Sequence, residues 1–238
     1  MIKTVKIYND DIGEVSLIDY MGDDKRAAHA ARVSFLKDDI DTDKEFTDKD
    51  KRLINFLLRE KHTSPFEHST ITFRLTVPAF IRSQIHRHRT FSYNEASRRY
   101  TSDNLSFYSP DAFRKQAEKN LQVSIEGSEF DPVLKTIHGS VMDYTSTAKE
   151  LLDEHIDASL NLYNMMLDKG ICREQARMVL PQNMYCSFWM TGNLHNYIKF
   201  LSLRLDSHAQ PEVQAVAQAM LDMLVDLFPE TFKFIDFK

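Results

Sequence analysis

The residues best equipped for chemistry lie between Arg82 and Tyr100, in the run R-S-Q-I-H-R-H-R-T-F-S-Y-N-E-A-S-R-R-Y. It holds five arginines (Arg82, Arg87, Arg89, Arg98, Arg99), two histidines (His86, His88) and one acid, Glu95. The whole chain has a formal net charge of -5, so this concentration of cation is local and runs against the background. Arginine offers a planar fork of donors that suits phosphate and carboxylate, and it keeps its charge near neutral pH. Gln84, Ser92, Asn94 and Ser97 interleave with it and can both donate and accept hydrogen bonds. The combination suits a phosphorylated, hydrogen-bonding ligand. On composition alone a solvated basic loop accounts for it equally well.

Other chemistries have weaker support. His86 and His88 with His62, His68 and Glu67 suggest a metal, but residues i and i+2 of a helix do not face each other. No C-x-x-C or H-E-x-x-H spacing accompanies them. Covalent catalysis would need Cys172, Cys186 or Ser97. Cys186 lies in an apolar segment, where a thiol is usually a packing group, and Ser97 lacks the G-x-S-x-G context of a nucleophile elbow. A third possibility is an anion site that adds Arg177 and Arg204 to the central run. Taken singly, Arg177 reads as a complement to a helix C-terminus and Arg204 as a snorkelling boundary residue.

These residues must be positioned by a chain of 238 residues, enough to bury a core as one large domain or two small ones. With 42% hydrophobic and 27% charged residues it has the balance of a soluble globular protein. Only 6 glycines and 7 prolines argue for substantial helix over a loop-rich β-sandwich. No apolar run reaches membrane-spanning length and the N-terminus lacks a secretory signal. Two cysteines make no disulfide framework, so a reducing, cytoplasmic setting is expected.

Periodicity predicts short strands at 5–8 and 14–18, a helix over 25–33 capped by Asp23, and an acidic loop over 37–50. A helix follows over 48–60, then a polar turn around Pro65 and an alternating strand from Ile71 to Val77. Pro78 should open a helix presenting Gln84, Arg87 and His88 on one face, with Thr90–Ser97 as loop. A short helix is expected near 110–120, and a long one from Pro132 to Asp168 closed by Gly170. Further helices are expected over 173–180, from about 194, and over 211–228, with a strand over 184–190. The fold class is α+β, a single domain over 1–238 with a mostly antiparallel sheet packed with helices.

Arg87-His88-Arg89, seven residues and Ser97 match the R-H-R-x7-S signature, and the chain resembles the flavin-dependent thymidylate synthase family. The fuller run to Tyr100 is similar as well. So are H-T-S-P-F-E-H at 62–68, R-E-Q-A-R-M-V-L-P at 173–181, L-R-L-D-S-H-A-Q at 203–210 and A-A-R-V-S-F at 30–35, in the family's order. The least similar parts are 37–50 and 103–135.

The resemblance implies reductive methylation of dUMP to dTMP, with carbon from methylenetetrahydrofolate and hydride passing from NADPH through FAD. It implies no cysteine nucleophile, and a homotetramer whose active sites are shared between subunits. The dUMP positions fall on Gln84, Arg87, Glu95, Ala96, Ser97, Arg98, Arg99, Arg177 and Arg204. Arg204 is the catalytic expectation, at the position tied to ionising uracil N3. The FAD positions fall on Ser64, Arg87, His88, Arg89, Glu95, Asn193, Leu194, His195 and Lys199, the last where relatives can carry asparagine. His62 and His208 match positions near the flavin. Two other readings remain: a nucleotide- or RNA-binding module stacking bases on Phe91, Tyr93 and Tyr100, and a metal hydrolase using the histidines.

Overall fold

Alternation of Ile71, Phe73, Leu75 and Val77 with Thr72, Arg74 and Thr76 turns every other side chain of one strand into core, and all four apolar residues are fully buried. The computed structural model describes residues 3–34, 45–101, 105–120, 123–138 and 141–237. Its elements run β1 (Lys3–Lys6), β2 (Glu14–Met21), α1 (Asp24–Val33), α2 (Asp48–Arg59), a 3-10 turn (Ser64–His68), β3 (Thr70–Pro78), α3 (Ala79–Ile85) and β4 (Ser92–Glu95). Then come β5 (Phe113–Gln116), β6 (Ser124–Phe130), β7 (Val133–His138), β8 (Val141–Thr147), α4 (Ala148–Asp168), α5 (Arg173–Ala176) and a 3-10 turn (Arg177–Val179). β9 (Tyr185–Asn193), α6 (Leu194–Arg204), α7 (Pro211–Leu227) and α8 (Pro229–Phe232) complete the described chain. It divides into two compact units: residues 1–77, 83–95 and 187–238, and residues 78–82 and 96–186.

The first unit carries a five-stranded sheet in the order β1-β2-β3-β9-β4. β1 with β2, β2 with β3 and β4 with β9 are antiparallel, with Val15 opposite Leu75, Leu17 opposite Phe73 and Asn94 opposite Trp189. A register shift lies between Leu17 and Asp19. One face supplies Val15, Phe73, Leu75, Phe188 and Met190 to the core. The other is polar: Thr72 and Thr191 share a hydrogen bond of 3.0 Å and Thr4 and Ser16 one of 2.9 Å. α7 packs against β2 and α6 through Val213, Val216, Ala217, Met220, Met223 and Leu224, an i, i+3, i+4 stripe. The Asp24 carboxylate, buried at the start of α1, accepts from Glu230 N at 2.7 Å, Thr231 N at 3.0 Å and Thr231 Oγ1 at 2.6 Å. It thereby caps α8 from outside that helix.

In the second unit β5–β6 and β7–β8 form two antiparallel hairpins. α4 starts with a reciprocal capping box: Glu150 N donates to Thr147 Oγ1 at 3.2 Å and Thr147 N to Glu150 Oε2 at 2.9 Å. It ends at Gly170, whose φ of +81° is open to glycine and whose N–H donates to Leu167 O at 2.9 Å.

The α+β class and the antiparallel sheet packed with helices stand as expected. Several elements differ. The helix expected over 132–168 starts only at Ala148, and β7 and β8 precede it. Val133, Thr136, Ile137, Val141, Thr145 and Thr147 are β-branched and favour a pleated strand. The helix expected near 110–120 is the β5 strand, and 90–97 contains β4, whose partner is β9. α3 stops at Ile85, so Arg87 and His88 lie beyond the helix that was to present them. Pro78 ends β3, and Pro229 opens α8 after α7 has ended. Residues 37–44 of the acidic loop lie outside the described residues, and Asp48–Asp50 belong to α2. No helix among the described residues is long and apolar enough to cross a membrane.

Candidate active site

The R-H-R turn starts where α3 runs out. Arg87 N donates to Gln84 O at 3.4 Å and His88 N to Ile85 O at 3.0 Å, so the chain makes one more tight turn before β4. The Tyr93 hydroxyl lies 2.9 Å from Ile85 O and 3.0 Å from His88 O, bracketing the turn with a phenol that burial pushes well above its ordinary pKa. Arg87 and Arg89 are exposed, while His88 is half-buried against the edge of Phe200, ring centres 4.8 Å apart. Arg204, the last residue of α6, reaches back to this turn. Its Nε donates to His88 Nε2 at 3.0 Å and its Nη2 to Gln84 O at 2.9 Å. The Gln84 side chain donates to Gln210 Oε1 at 2.5 Å. Burial pulls the Arg204 guanidinium down from its ordinary pKa, yet arginine starts so high that it stays a cation at neutral pH. Desolvation, then Arg204 and Lys199, lower the His88 pKa to about 4, which keeps that imidazole neutral.

The start of α6 contributes a second cluster. Asn193 caps the helix, its Oδ1 accepting from Asn196 N at 2.9 Å, and Leu194 is fully buried with its N–H donating to Ser69 O at 2.9 Å. Both expected flavin residues thus have structural duties, and Asn193 keeps its side-chain amide nitrogen for a ligand. His195 is half-buried one turn from exposed Lys199. Desolvation and then Lys199 lower its pKa, against an opposing pull from Glu67. Glu67 belongs to the same 3-10 turn as exposed Ser64, and that turn packs on α6. His62 is exposed, its ring edge toward Phe56 at 5.9 Å, and exposed His208 pairs with Asp206 at 2.9 Å. Glu95 ends β4 opposite Phe188.

In the second unit Ala96–Tyr100 form a turn closed by Tyr100 N donating to Ser97 O at 3.0 Å. Arg99 donates from N and from Nε to Ser97 Oγ, both at 3.3 Å, and its guanidinium lies 5.3 Å from the Tyr100 ring centre. Arg98 is half-buried beside it. Arg177 is exposed at the end of α5, its Nε donating to Glu174 O at 3.4 Å. That bond is the helix-end role anticipated for it, and it leaves the other guanidinium donors for a ligand.

The histidines of the central run have other partners. His86 is packed between Tyr93 and Phe188 at 4.2 and 4.9 Å, and His88 Nε2 is engaged by Arg204. Among the described residues no group of three or more His, Cys, Asp or Glu could hold an ion. Base stacking fares no better: Phe91 is buried against Tyr197 at 4.8 Å, Tyr93 is half-buried, and only Tyr100 is open to solvent. Cys186 is buried and Cys172 exposed, both as free thiols.

The model of the thymidylate synthase complementing protein family matches residues 16–230. The chain belongs to that family, the flavin-dependent thymidylate synthases. It is 40% identical over 219 residues to a flavin-dependent thymidylate synthase of Thermus thermophilus, covering 92% of this chain and 74% of the relative. With the Thermosipho melanesiensis synthase it shares 39% over 223 residues, 94% and 90% of the two chains. A crystal structure of the UMP/dUMP methylase PolB from Streptomyces cacaoi, bound with 5-Br dUMP, superposes with a TM-score of 0.75 at 30% identity, covering 92% of this chain and 93% of that one. Membership explains why cations, a neutral imidazole and a half-buried guanidinium are gathered around one turn. Sequence reasoning about this synthase-family chain assigned Gln210 no individual role and Tyr93 only that of a stacking ring; with Phe200, one turn before Arg204, they brace the turn that carries Gln84 and His88.

Proposed function

We propose that the protein is a flavin-dependent thymidylate synthase, converting dUMP to dTMP with the one-carbon unit of methylenetetrahydrofolate and reducing equivalents from NADPH delivered through FAD. The observation that carries this reading is the half-buried Arg204 guanidinium beside the R-H-R turn, held by two bonds of 3.0 and 2.9 Å and still offering donors. Uracil C5 becomes nucleophilic as negative charge develops on the ring, and a guanidinium at N3–O2 stabilises that charge. Partial burial strengthens its field relative to a solvated cation. Arg99 and Arg177, with Ser97, Arg98 and Ala96 N–H, would hold the phosphate and sugar, while Gln84, Arg87 and Glu95 would orient the nucleotide.

The donor set also suits a flavin nucleotide: Arg87, Arg89 and Lys199 are exposed cations for phosphate, and His88, His195, Ser64 and the Asn193 amide supply neutral donors. FAD when bound supplies the electron transfer that amino-acid side chains cannot. The chain's part is to align the nucleotide, keep Arg204 in place and hold three reactants in register.

Three further parts of the reading rest on the resemblance: one family domain across 1–238, a homotetramer with shared active sites, and a cytoplasmic setting consistent with two free thiols. The family match across both units supports the first. Flavin binding tests the proposal: denatured pure protein should release FAD, and apoprotein should perturb the FAD spectrum on reconstitution. No flavin released and no spectral change would overturn it.

A further inference from the structure

Arg204 uses one particular edge of its guanidinium inside the protein. Nε–H and one Nη2–H lie on the same side of the planar group, and those are the two donors engaged, by His88 Nε2 at 3.0 Å and Gln84 O at 2.9 Å. The end-on edge, formed by Nη1 and the second Nη2 proton, makes no hydrogen bond among the described residues, and a fork of that shape matches the paired acceptors of a pyrimidine O2–N3 edge. Gln84 O is a fixed main-chain acceptor. His88 is the variable partner, because it accepts only while Nε2 is unprotonated.

We infer that His88 is a positioning residue for Arg204: its Nε2 holds the side edge of the guanidinium so that the end-on edge is presented to the nucleotide. This rests on the reading of Arg204 as the residue that meets uracil. An Nε2 that accepts requires the proton on Nδ1, so His88 is fixed as the Nδ1–H tautomer. Several features hold it there. Phe200, one helical turn before Arg204 on α6, packs on the ring at 4.8 Å, and the Tyr93 hydroxyl sits 3.0 Å from the His88 carbonyl. Among the described residues Arg204 and Lys199 are the cations that act on the ring, with the Tyr93 phenol at its main chain, and both cations oppose protonation along with burial. The middle residue of the R-H-R signature therefore acts through Arg204, with only Nδ1–H left for a flavin or water.

A double-mutant cycle in flavin-loaded enzyme at saturating dUMP tests the coupling, with His88→Ala, Arg204→Lys and the pair. His88→Ala should lower kcat about tenfold to a hundredfold, the loss of one hydrogen bond to a charged group. His88→Gln, whose amide oxygen can accept, should recover most of it. In the Arg204→Lys background the same His88→Ala change should cost about twofold or less. A full loss persisting in that background, or an effect confined to flavin content, would overturn the inference. Nitrogen NMR of the His88 imidazole provides the second arm: the neutral Nδ1–H tautomer at pH 7 is expected, and an Nε2–H tautomer or a cation would refute the clamp. The tautomer can be read in a protein that makes no dTMP, so failure of the synthase reading and failure of this inference are separable.

Discussion

Gly192→Ala tests whether the aromatic wall behind the site is as tightly built as it looks. Gly192 lies in β9 with no left-handed φ, so alanine strains no backbone there. Its Cβ, however, would stand 2.6 Å from Phe91 Cε1 and 3.3 Å from Phe91 Cγ. Ordinary carbon contacts are about 3.5–4.0 Å, so the ring must retreat by about 1 Å. Packed against the same ring are Tyr197, 4.8 Å away and fully buried, and Phe200, 6.3 Å away and fully buried. Tyr197 cannot yield easily, because its hydroxyl donates to Met190 O at 2.9 Å with Ile71 O at 3.3 Å. Overpacking of this kind costs about 1–3 kcal/mol, offset by about 0.4–1 kcal/mol from the stiffer unfolded chain. Contacts this short put the cost at the upper end of that range, so the expected net loss is about 2 kcal/mol. Urea denaturation followed by far-ultraviolet circular dichroism and by the lone tryptophan, Trp189, measures it. Because the cause is crowding, Phe91→Leu should compensate: the pair should be about 1 kcal/mol more stable than the sum of the singles predicts. Wild-type stability in Gly192→Ala, or strict additivity in the pair, would refute the reasoning.

Arg204→Lys keeps the charge but loses the fork, so kcat at saturating dUMP should fall by about 2.7–4 kcal/mol of transition-state stabilisation, a hundredfold to a thousandfold. Arg99→Lys and Arg177→Lys should mainly raise KM, and a pure KM effect in Arg204→Lys would reduce it to another binding residue. The pair Cys172→Ser and Cys186→Ser should still form dTMP, and loss of product in a folded, flavin-bound variant would contradict that. Asp24→Ala should cost about 2–4 kcal/mol, combining a lost cap with unpaired buried N–H groups, whereas Asp24→Asn, which keeps an acceptor, should stay within about 1 kcal/mol. Desolvation raises the Asp24 pKa in the fold, so between the ordinary carboxylate value and that raised one the folded state holds more proton than the unfolded. This group's contribution to stability should therefore fall as pH rises through that window, a slope absent from Asp24→Asn; a denaturation series showing the opposite difference would be decisive against it.

Strong local patterns translated directly into structure. The β3 alternation, the Asp23 cap of α1, whose Oδ1 accepts from Arg26 N at 2.9 Å, and the Gly170 stop all follow from side-chain period or backbone freedom. The β7–β8 hairpin did not, because Val133, Ile137, Val141 and Tyr144 repeat at helical spacing by accident of register. The β-branched residues and the Thr147–Glu150 capping box were the arbitrating signals, placing the helix start at 148. β4 escaped because it is a short strand whose Ser92 and Asn94 are polar and exposed, so no apolar alternation marks it. At the site, residue types and motif order pointed to the cations and to Arg204. What they could not show is connection: that Arg204 returns to His88 and Gln84 O across more than a hundred residues, or that Tyr93 brackets the turn through main-chain oxygens. Those bonds depend on the β4–β9 pairing and the reach of α6, which local sequence does not encode.

The central claim meets its most direct test in the product. Purified protein with FAD, NADPH, methylenetetrahydrofolate carrying a labelled methylene carbon, and dUMP should yield dTMP bearing the label on its C5 methyl group. Omission of NADPH or dUMP should abolish that product, and Arg204→Lys should suppress it while flavin remains bound. Unlabelled dUMP recovered intact from flavin-loaded, folded protein under these conditions would contradict the account.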